Sequence, residues 1–186
     1  MSAFAEHCRH PDAHLLLAGP SVADVPDDPE GAEVLAEIRR RRAALSRDVQ
    51  ARVHLASLPM DDIEENAAMV NAIQRRADVV VQKSLAEGFG LTVAEAMWKA
   101  KPVVASRIGG IQDQIVDGES GLLVDDPTDL VAAGKAIDSL LGDPDRAEVI
   151  GAAARERVRK SFLGTRHLVQ YMQLIEEMLG PESADG

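Results

Sequence analysis

The strongest constraint on the fold of this chain is an alternation. Short aliphatic runs, His14–Ala18, Arg52–Ala56, Val79–Val81, Pro102–Ser106 and Leu122–Val124, are separated by longer stretches with helical spacing. Each run is too short for a helix, and several are rich in the β-branched residues that suit a pleated strand. The stretches between them carry apolar residues about one turn apart, as in Val34, Leu35, Ile38 and Leu45. Strands alternating with helices require crossover connections, hence a parallel sheet with helices on both faces. The expected fold class is α/β, a Rossmann-like three-layer domain.

The spacing predicts helices over 33–50, 63–76, from Gly90 or Leu91 to Ala100, and over 111–116, 128–142, 144–160 and 165–179. Residues 2–10 read as the tail of a helix with no strand before it. Val79–Val81 is continuous in valine, which predicts a strand buried on both faces. Gly19-Pro20 is expected to end the first strand, and residues 57–62 to form the loop after the second. One domain is expected over 1–180, followed by a frayed polar tail at 181–186.

Composition narrows the partners. Aromatics are only 3%, so the core is aliphatic. A net charge of −11 argues against nucleic acid or an anionic membrane as partner, because both need concentrated positive charge. A small anion held by backbone amides stays compatible with it. The single cysteine, Cys8, leaves no internal disulfide and fits a reducing compartment, so a soluble cytoplasmic protein is expected. No apolar run of about 18 residues and no signal-peptide pattern is present.

The residues with the most chemistry are EGFGLTVAEAM, 87–97, directly after the third expected strand. Ligands of open parallel sheets sit beyond the carboxyl ends of the strands. Gly88 and Gly90 can take positive φ and leave space above the backbone. A helix starting near Gly90 has first amides with no partner inside it, and its dipole adds partial positive charge there. That combination suits a phosphate. Glu87 precedes the helix, and Glu95 lies one turn past Leu91 on the same face. A carboxylate repels phosphate but accepts hydrogen bonds from paired hydroxyls, as in ribose or a hexose. On the residues alone two readings stand: a nucleotide-sugar site, or a tight turn with a solvent-facing Glu95. A nicotinamide site is disfavoured, because GFGLTV has Val93 where the dinucleotide fingerprint has its third glycine, and Ser106-Arg107 follows the next strand where an acid is required.

Other features have plainer readings. His7, Cys8 and His10 lack further ligands at metal spacing. His54 is expected in the core or at a strand end. Arg39–Arg42 reads as a solvated face. Arg155, Arg157, Arg159 and Lys160 lie late in their helix, and Asp61, Asp62, Glu64 and Glu65 at a helix start, where each set suits the dipole. Residues 24–31 read as a surface loop. There is no G-x-S-x-G element to support a hydrolase triad.

EGFGLTVAE resembles the E-x7-E signature of retaining glycosyltransferases of family 4, which have the two-domain GT-B architecture. KPVVASRIGG (101–110) and IVDGESGLLVDDPTDL (115–130) match that family's order of strand, Gly-Gly loop, turn and strand. The resemblance covers nearly the whole chain. QKSLAEGFGLTVAEAMWK, preceded by NAAMVNAIQRRADVVV, is similar to the trehalose synthase and trehalose phosphorylase branch; it departs from the commoner pattern at Gln82-Lys83-Ser84 and Met97–Ala100.

The resemblance implies the C-terminal, donor-binding half of a GT-B fold. Glu87 would contact donor-glucose hydroxyls at the reaction centre and is the implied catalytic residue. Gly88, Phe89, Gly90, Leu91 and Thr92 would surround sugar and phosphates, with Lys83 near them. Glu95 would hold the ribose, the Gly109-Gly110 turn would close the cleft, and Ser57–Pro59 is a weaker candidate for the base. Transfer would retain configuration, with neither cofactor nor metal. The implied partners are a nucleotide-glucose donor and the family's acceptor-holding N-terminal domain. That domain, and the opening strand that carries an Arg and a Lys for the diphosphate, precede this stretch in the family. The chain is therefore expected to be truncated at its N-terminus, inactive alone, and prone to self-association. A trehalose phosphorylase domain and a non-catalytic sugar-nucleotide module are the alternatives.

Overall fold

The computed structural model describes residues 1–21 and 29–179. The chain runs through α1 (Ser2–His7), β1 (Leu15–Pro20), α2 (Pro29–Ala43), α3 (Arg47–Ala51), β2 (Val53–Leu58), α4 (Ile63–Arg76) and β3 (Val80–Gln82). It continues through α5 (Leu91–Trp98), β4 (Val103–Ser106), α6 (Ile111–Gln114), β5 (Leu122–Val124), α7 (Leu130–Leu141), α8 (Pro144–Ser161) and α9 (Gly164–Leu179). The expected tail at 181–186 and most of the 24–31 loop lie outside the described residues.

Among the described residues all the strand pairing is parallel, as the alternation predicts, but it forms two ladders. β1 pairs with β2 from Leu15–Val53 to Pro20–Leu58. β3, β4 and β5 form the other ladder, with Val81 beside Val104 and Ala105 beside Leu123. β1 runs past the expected stop at Gly19-Pro20. Proline lacks an amide hydrogen, yet it is tolerated at a strand end, and the next amide, Ser21, donates to Leu58 O at 2.8 Å. The strand likewise claims Ser57 and Leu58, so the loop after β2 begins only at Pro59.

The strand buried on both faces is β4, not β3. All four β4 residues are buried. Val104 packs in a cluster with Phe4 of α1, Val53, Val124, and Ile137 and Leu140 of α7. Val103 and Ala105 point the other way, against Val93 and Met97 of α5, Ile111 of α6, and Ala154 and Val158 of α8. These two clusters are the faces of a three-layer α/β domain. β3 pairs only with β4 and lies at the edge of its ladder, so Val81 stays 36% exposed.

Local signals explain three helix starts. α4 occupies its expected span, and the Asp62 carboxylate caps it by accepting from the amides of Glu64 and Glu65. Asp129 and Asp143 cap α7 and α8 in the same way, the latter followed by Pro144 in the first turn. The single helix expected over 33–50 is broken at residues 44–46. Arg42, expected on a solvated face, instead turns inward and donates to Val53 O and Gln50 O, tying the break to β2. Arg40 and Arg41 stay outside, paired with Glu37. His54 is neither in the core nor at a strand end. It lies exposed within β2, its Nε2 2.9 Å from Nδ1 of His14. Among the described residues no helix is long and apolar enough to cross a membrane.

Candidate functional site

β3 ends at Gln82, so the 87–97 motif stands at the carboxyl edge of the β3–β4–β5 ladder, as the sequence predicts. Gly90 caps α5 with φ 84° and ψ 58°, the left-handed conformation that favours glycine. An added Cβ there would meet Ile111 Cγ1 at 2.8 Å. Gly88 differs from expectation: it does not take positive φ, and nothing lies within 4 Å of its missing side chain. Glycine at 88 leaves open surface; at 90 it permits the backbone turn.

The turn into α5 leaves amides unpaired. Val93 and Ala94 both donate to Gly90 O. Among the described residues, the amides of Phe89, Gly90, Leu91 and Thr92 donate to no protein acceptor. A left-handed residue followed by right-handed ones turns successive N–H groups toward one concavity, which suits an anion. Phe89, Leu91 (68% exposed) and Thr92 stand at the surface, while Gly90 between them is buried.

Glu87 is half-buried and held from three sides. Its Oε1 accepts from the Gly88 amide at 3.1 Å, and Oε2 lies 3.4 Å from both Gln82 Nε2 and Ser84 Oγ. Gln82 and Ser84 had no assigned role in the sequence; the signal was their departure from the commoner family pattern. Glu95 is exposed on α5 and makes no ion pair or side-chain hydrogen bond among the described residues. Lys83 does not turn toward the motif. Its Nζ donates to Pro127 O in the loop after β5.

Gly109 and Gly110 lie directly against the motif. Gly109, with φ 47°, has no room for a Cβ, which would fall 1.9 Å from Glu87 O. The Gly110 amide donates to Gly88 O at 2.6 Å. Behind them, buried Gln114 of α6 donates from Nε2 to Phe89 O. Arg157 of α8 does not serve its own helix dipole, as its position suggested. Its guanidinium donates to the carbonyls of Asp113 and Gln114, at the carboxyl end of α6. Arg159 and Lys160 stand in the last turn of α8, as expected, and also pair with Glu156, while Arg155 lies over the Trp98 ring. Sequence reading missed the contribution of Gln114 and Arg157: Gln114 stands in a mixed stretch, Ile111–Val116, that also holds Gln112 and Asp113, so no pattern set it apart.

The rim carries one more fixed group. Arg107, just after β4, pairs with Asp117 and Asp125, which raises its pKa further and joins the ends of β4 and β5 to the turn at 117–121. A cavity of about 210 Å³ lies elsewhere, between the carboxyl halves of β1 and β2 and helix α2, and Ser57 lines it. No motif residue lines that cavity. Among the described residues, no group of three or more His, Cys, Asp or Glu is arranged to hold a metal.

Residues 1–157 match the family described as glycosyl transferases group 1. The chain belongs to that family. It is 41% identical over 170 residues to a trehalose synthase of Pyrococcus horikoshii, covering 91% of this chain and 38% of the relative. Solved structures repeat the fold. A sucrose-phosphate synthase from Thermosynechococcus elongatus superposes with a TM-score of 0.67 at 32% identity, over 89% of this chain and 38% of the other. Anabaena Alr3699/HepE, solved in complex with UDP, superposes with a TM-score of 0.74 at 22% identity, over 93% of this chain and 43% of the other. The architecture is that of the GT-B glycosyltransferases. This group 1 chain spans under half the length of each relative named here.

Proposed function

We propose that this chain binds the nucleotide-sugar donor of a retaining glucosyltransferase, which joins glucose from a nucleoside diphosphate glucose to a second glucose and forms trehalose. The observation that carries this reading is the run of four amides, Phe89 to Thr92, unpaired among the described residues, between two carboxylates that are ready to accept hydroxyls. The amides and the α5 dipole take the diphosphate. Glu95, unpaired among the described residues and exposed, takes the ribose hydroxyls. Glu87, held by Gln82, Ser84 and the Gly88 amide, takes donor-glucose hydroxyls beside the reacting carbon. Gly109 and Gly110 brace this loop from behind, and Lys83 ties the edge of the site to the loop after β5. The 41% identity to a trehalose synthase supports glucose as both donor sugar and acceptor.

In this reading the bond from glucose C1 to the diphosphate oxygen breaks as the bond from C1 to the acceptor oxygen forms on the same face. The acceptor proton passes to the leaving diphosphate. The amides at 89–92 stabilise the charge that develops on that leaving group. The acceptor is held by further parts of the enzyme, so donor binding without turnover is expected of these 186 residues. A cytoplasmic setting fits the lone buried thiol of Cys8. Exposed apolar residues of α9, among them Leu168, Ile175 and Met178, favour self-association of the isolated chain.

Calorimetric titration with UDP-, ADP- and GDP-glucose tests the reading. Saturable binding of one donor is expected; absence of binding for all three overturns it. In the full-length enzyme, consumption of glucose 1-phosphate instead of a nucleotide-glucose would reassign the domain to a phosphorylase.

A further inference from the structure

We infer that Gln114 is a positioning residue for donor binding, acting through the Phe89–Gly90 peptide. The inference rests on the donor-binding reading and adds a residue outside the 87–97 motif. Gln114 is fully buried, at 0% exposure. A buried carboxamide costs free energy unless it is hydrogen-bonded, and only half of this one is. Nε2 donates to Phe89 O, while the buried Oε1 has no partner among the described residues. A leucine or methionine would fill the same space without leaving an oxygen unpaired. The surviving bond is therefore the reason for glutamine at this position.

That bond has a directional consequence. A trans peptide is planar, with its carbonyl and amide hydrogen pointing opposite ways. Gln114 draws Phe89 O inward, toward α6. The Gly90 amide of the same peptide plane must then point away from Gln114, next to the Leu91 and Thr92 amides that are unpaired among the described residues. Rotating this plane would turn the Gly90 amide away and dismantle the concavity.

The donor of this bond is itself fixed. Arg157 donates through Nε to Gln114 O and through Nη2 to Asp113 O, the latter at 2.6 Å, so it anchors the end of α6 to α8. The same guanidinium lies 5.8 Å from the Phe162 ring, and Phe162 meets the Phe89 ring edge-on at 6.1 Å. Phe89 is thus gripped at both its carbonyl and its ring by one cluster built on α6 and α8.

The test compares the 186-residue chain with Gln114→Met, which keeps volume and loses the donor. Donor affinity is read by calorimetry with UDP-, ADP- and GDP-glucose, and the Gly90 amide by ¹⁵N NMR without ligand. The expected result is a folded variant with a Kd about tenfold higher, as for a lost hydrogen bond, and a displaced Gly90 resonance. An unchanged Kd in a folded Gln114→Met overturns the inference. Should Gln114→Met not fold, Arg157→Lys serves, since it loosens α6 and leaves Gln114 in place. About threefold weaker binding is then expected, and unchanged binding overturns the inference. If the unaltered chain binds none of the donors, the donor reading fails by itself. The Gly90 resonance then decides the positioning role: displaced in the variant supports it, unmoved overturns it.

Discussion

The Gly110 amide donates to the carbonyl of Gly88 at 2.6 Å, which makes two loops from adjacent strands a single unit. The loop after β4 is the rear wall of the loop after β3. Disturbing either should disturb both.

Gly109→Ala tests that wall. Its Cβ would fall 1.9 Å from Glu87 O, a backbone atom that cannot swing aside, at a left-handed φ of 47°. The expected loss is about 2–4 kcal/mol in urea denaturation. Gly88→Ala is the contrast. With nothing within 4 Å and no positive φ, it should stay within about 0.5 kcal/mol of the unaltered chain.

Glu95→Ala separates binding from folding. The side chain is exposed and unpaired among the described residues, so stability should change by less than about 0.5 kcal/mol. On the donor-binding reading, in which this carboxylate accepts two ribose hydroxyls, its loss should raise the donor Kd about tenfold or more. Unchanged affinity in calorimetry would remove Glu95 from the ribose site.

The end of α5 carries strain that one substitution should relieve. Ala100 has φ 57°, and its amide donates to Met97 O while that of Lys101 donates to Ala96 O. This is the paired-bond helix ending in which glycine usually holds the left-handed position. Ala100→Gly should raise the melting temperature, with a gain of about 0.5–1 kcal/mol after glycine's entropy is subtracted. A lower melting temperature would contradict it.

Gly151→Ala sets helix propensity against packing. Within α8, alanine is favoured over glycine by about 1 kcal/mol. Here its Cβ would lie 2.2 Å from Ala100 O, where α8 crosses the end of α5. Packing should win, with a net loss of about 2–3 kcal/mol in denaturant unfolding. A stabilised variant would mean that α8 shifts freely.

Glu156 gives the pH prediction. Hydrogen bonds from Arg159, then Lys160, hold its carboxyl at about 2, below its ordinary 4.5. A depressed acid favours the folded state above its ordinary value, and the contribution is lost as pH falls from about 4.5 through about 2. The group is exposed, so salt should weaken the pairs. NMR titration should find a low midpoint that rises in about 1 M salt; a midpoint near 4.5 at low salt would show the pairs are not formed.

Much of this was legible in sequence because it is local. Aliphatic runs marked the strands to within a few residues, and the acidic cluster at 61–65 marked the start of α4. Gly90 was readable as a helix start from its glycine and the apolar spacing beyond it. Gln114 was not. Its partner Phe89 is 25 residues away, and Arg157 reaches it across 43 more. Nothing in helical or strand periodicity records contacts at such separations.

The sequence by itself determined the α/β alternation, the parallel pairing that crossovers impose, and the place of the 87–97 motif at a strand's carboxyl end. Each follows from the geometry of a few successive residues. Tertiary structure alone decided that β4 and not β3 is the fully covered strand, because burial depends on how many neighbours a strand pairs with. It also decided that Gly109 serves close approach, that Lys83 is spent on Pro127 O, and that Gln114 orients the motif from behind. Those facts depend on which chain segments the β3–β4 ladder brings side by side, and that is a property of the folded chain.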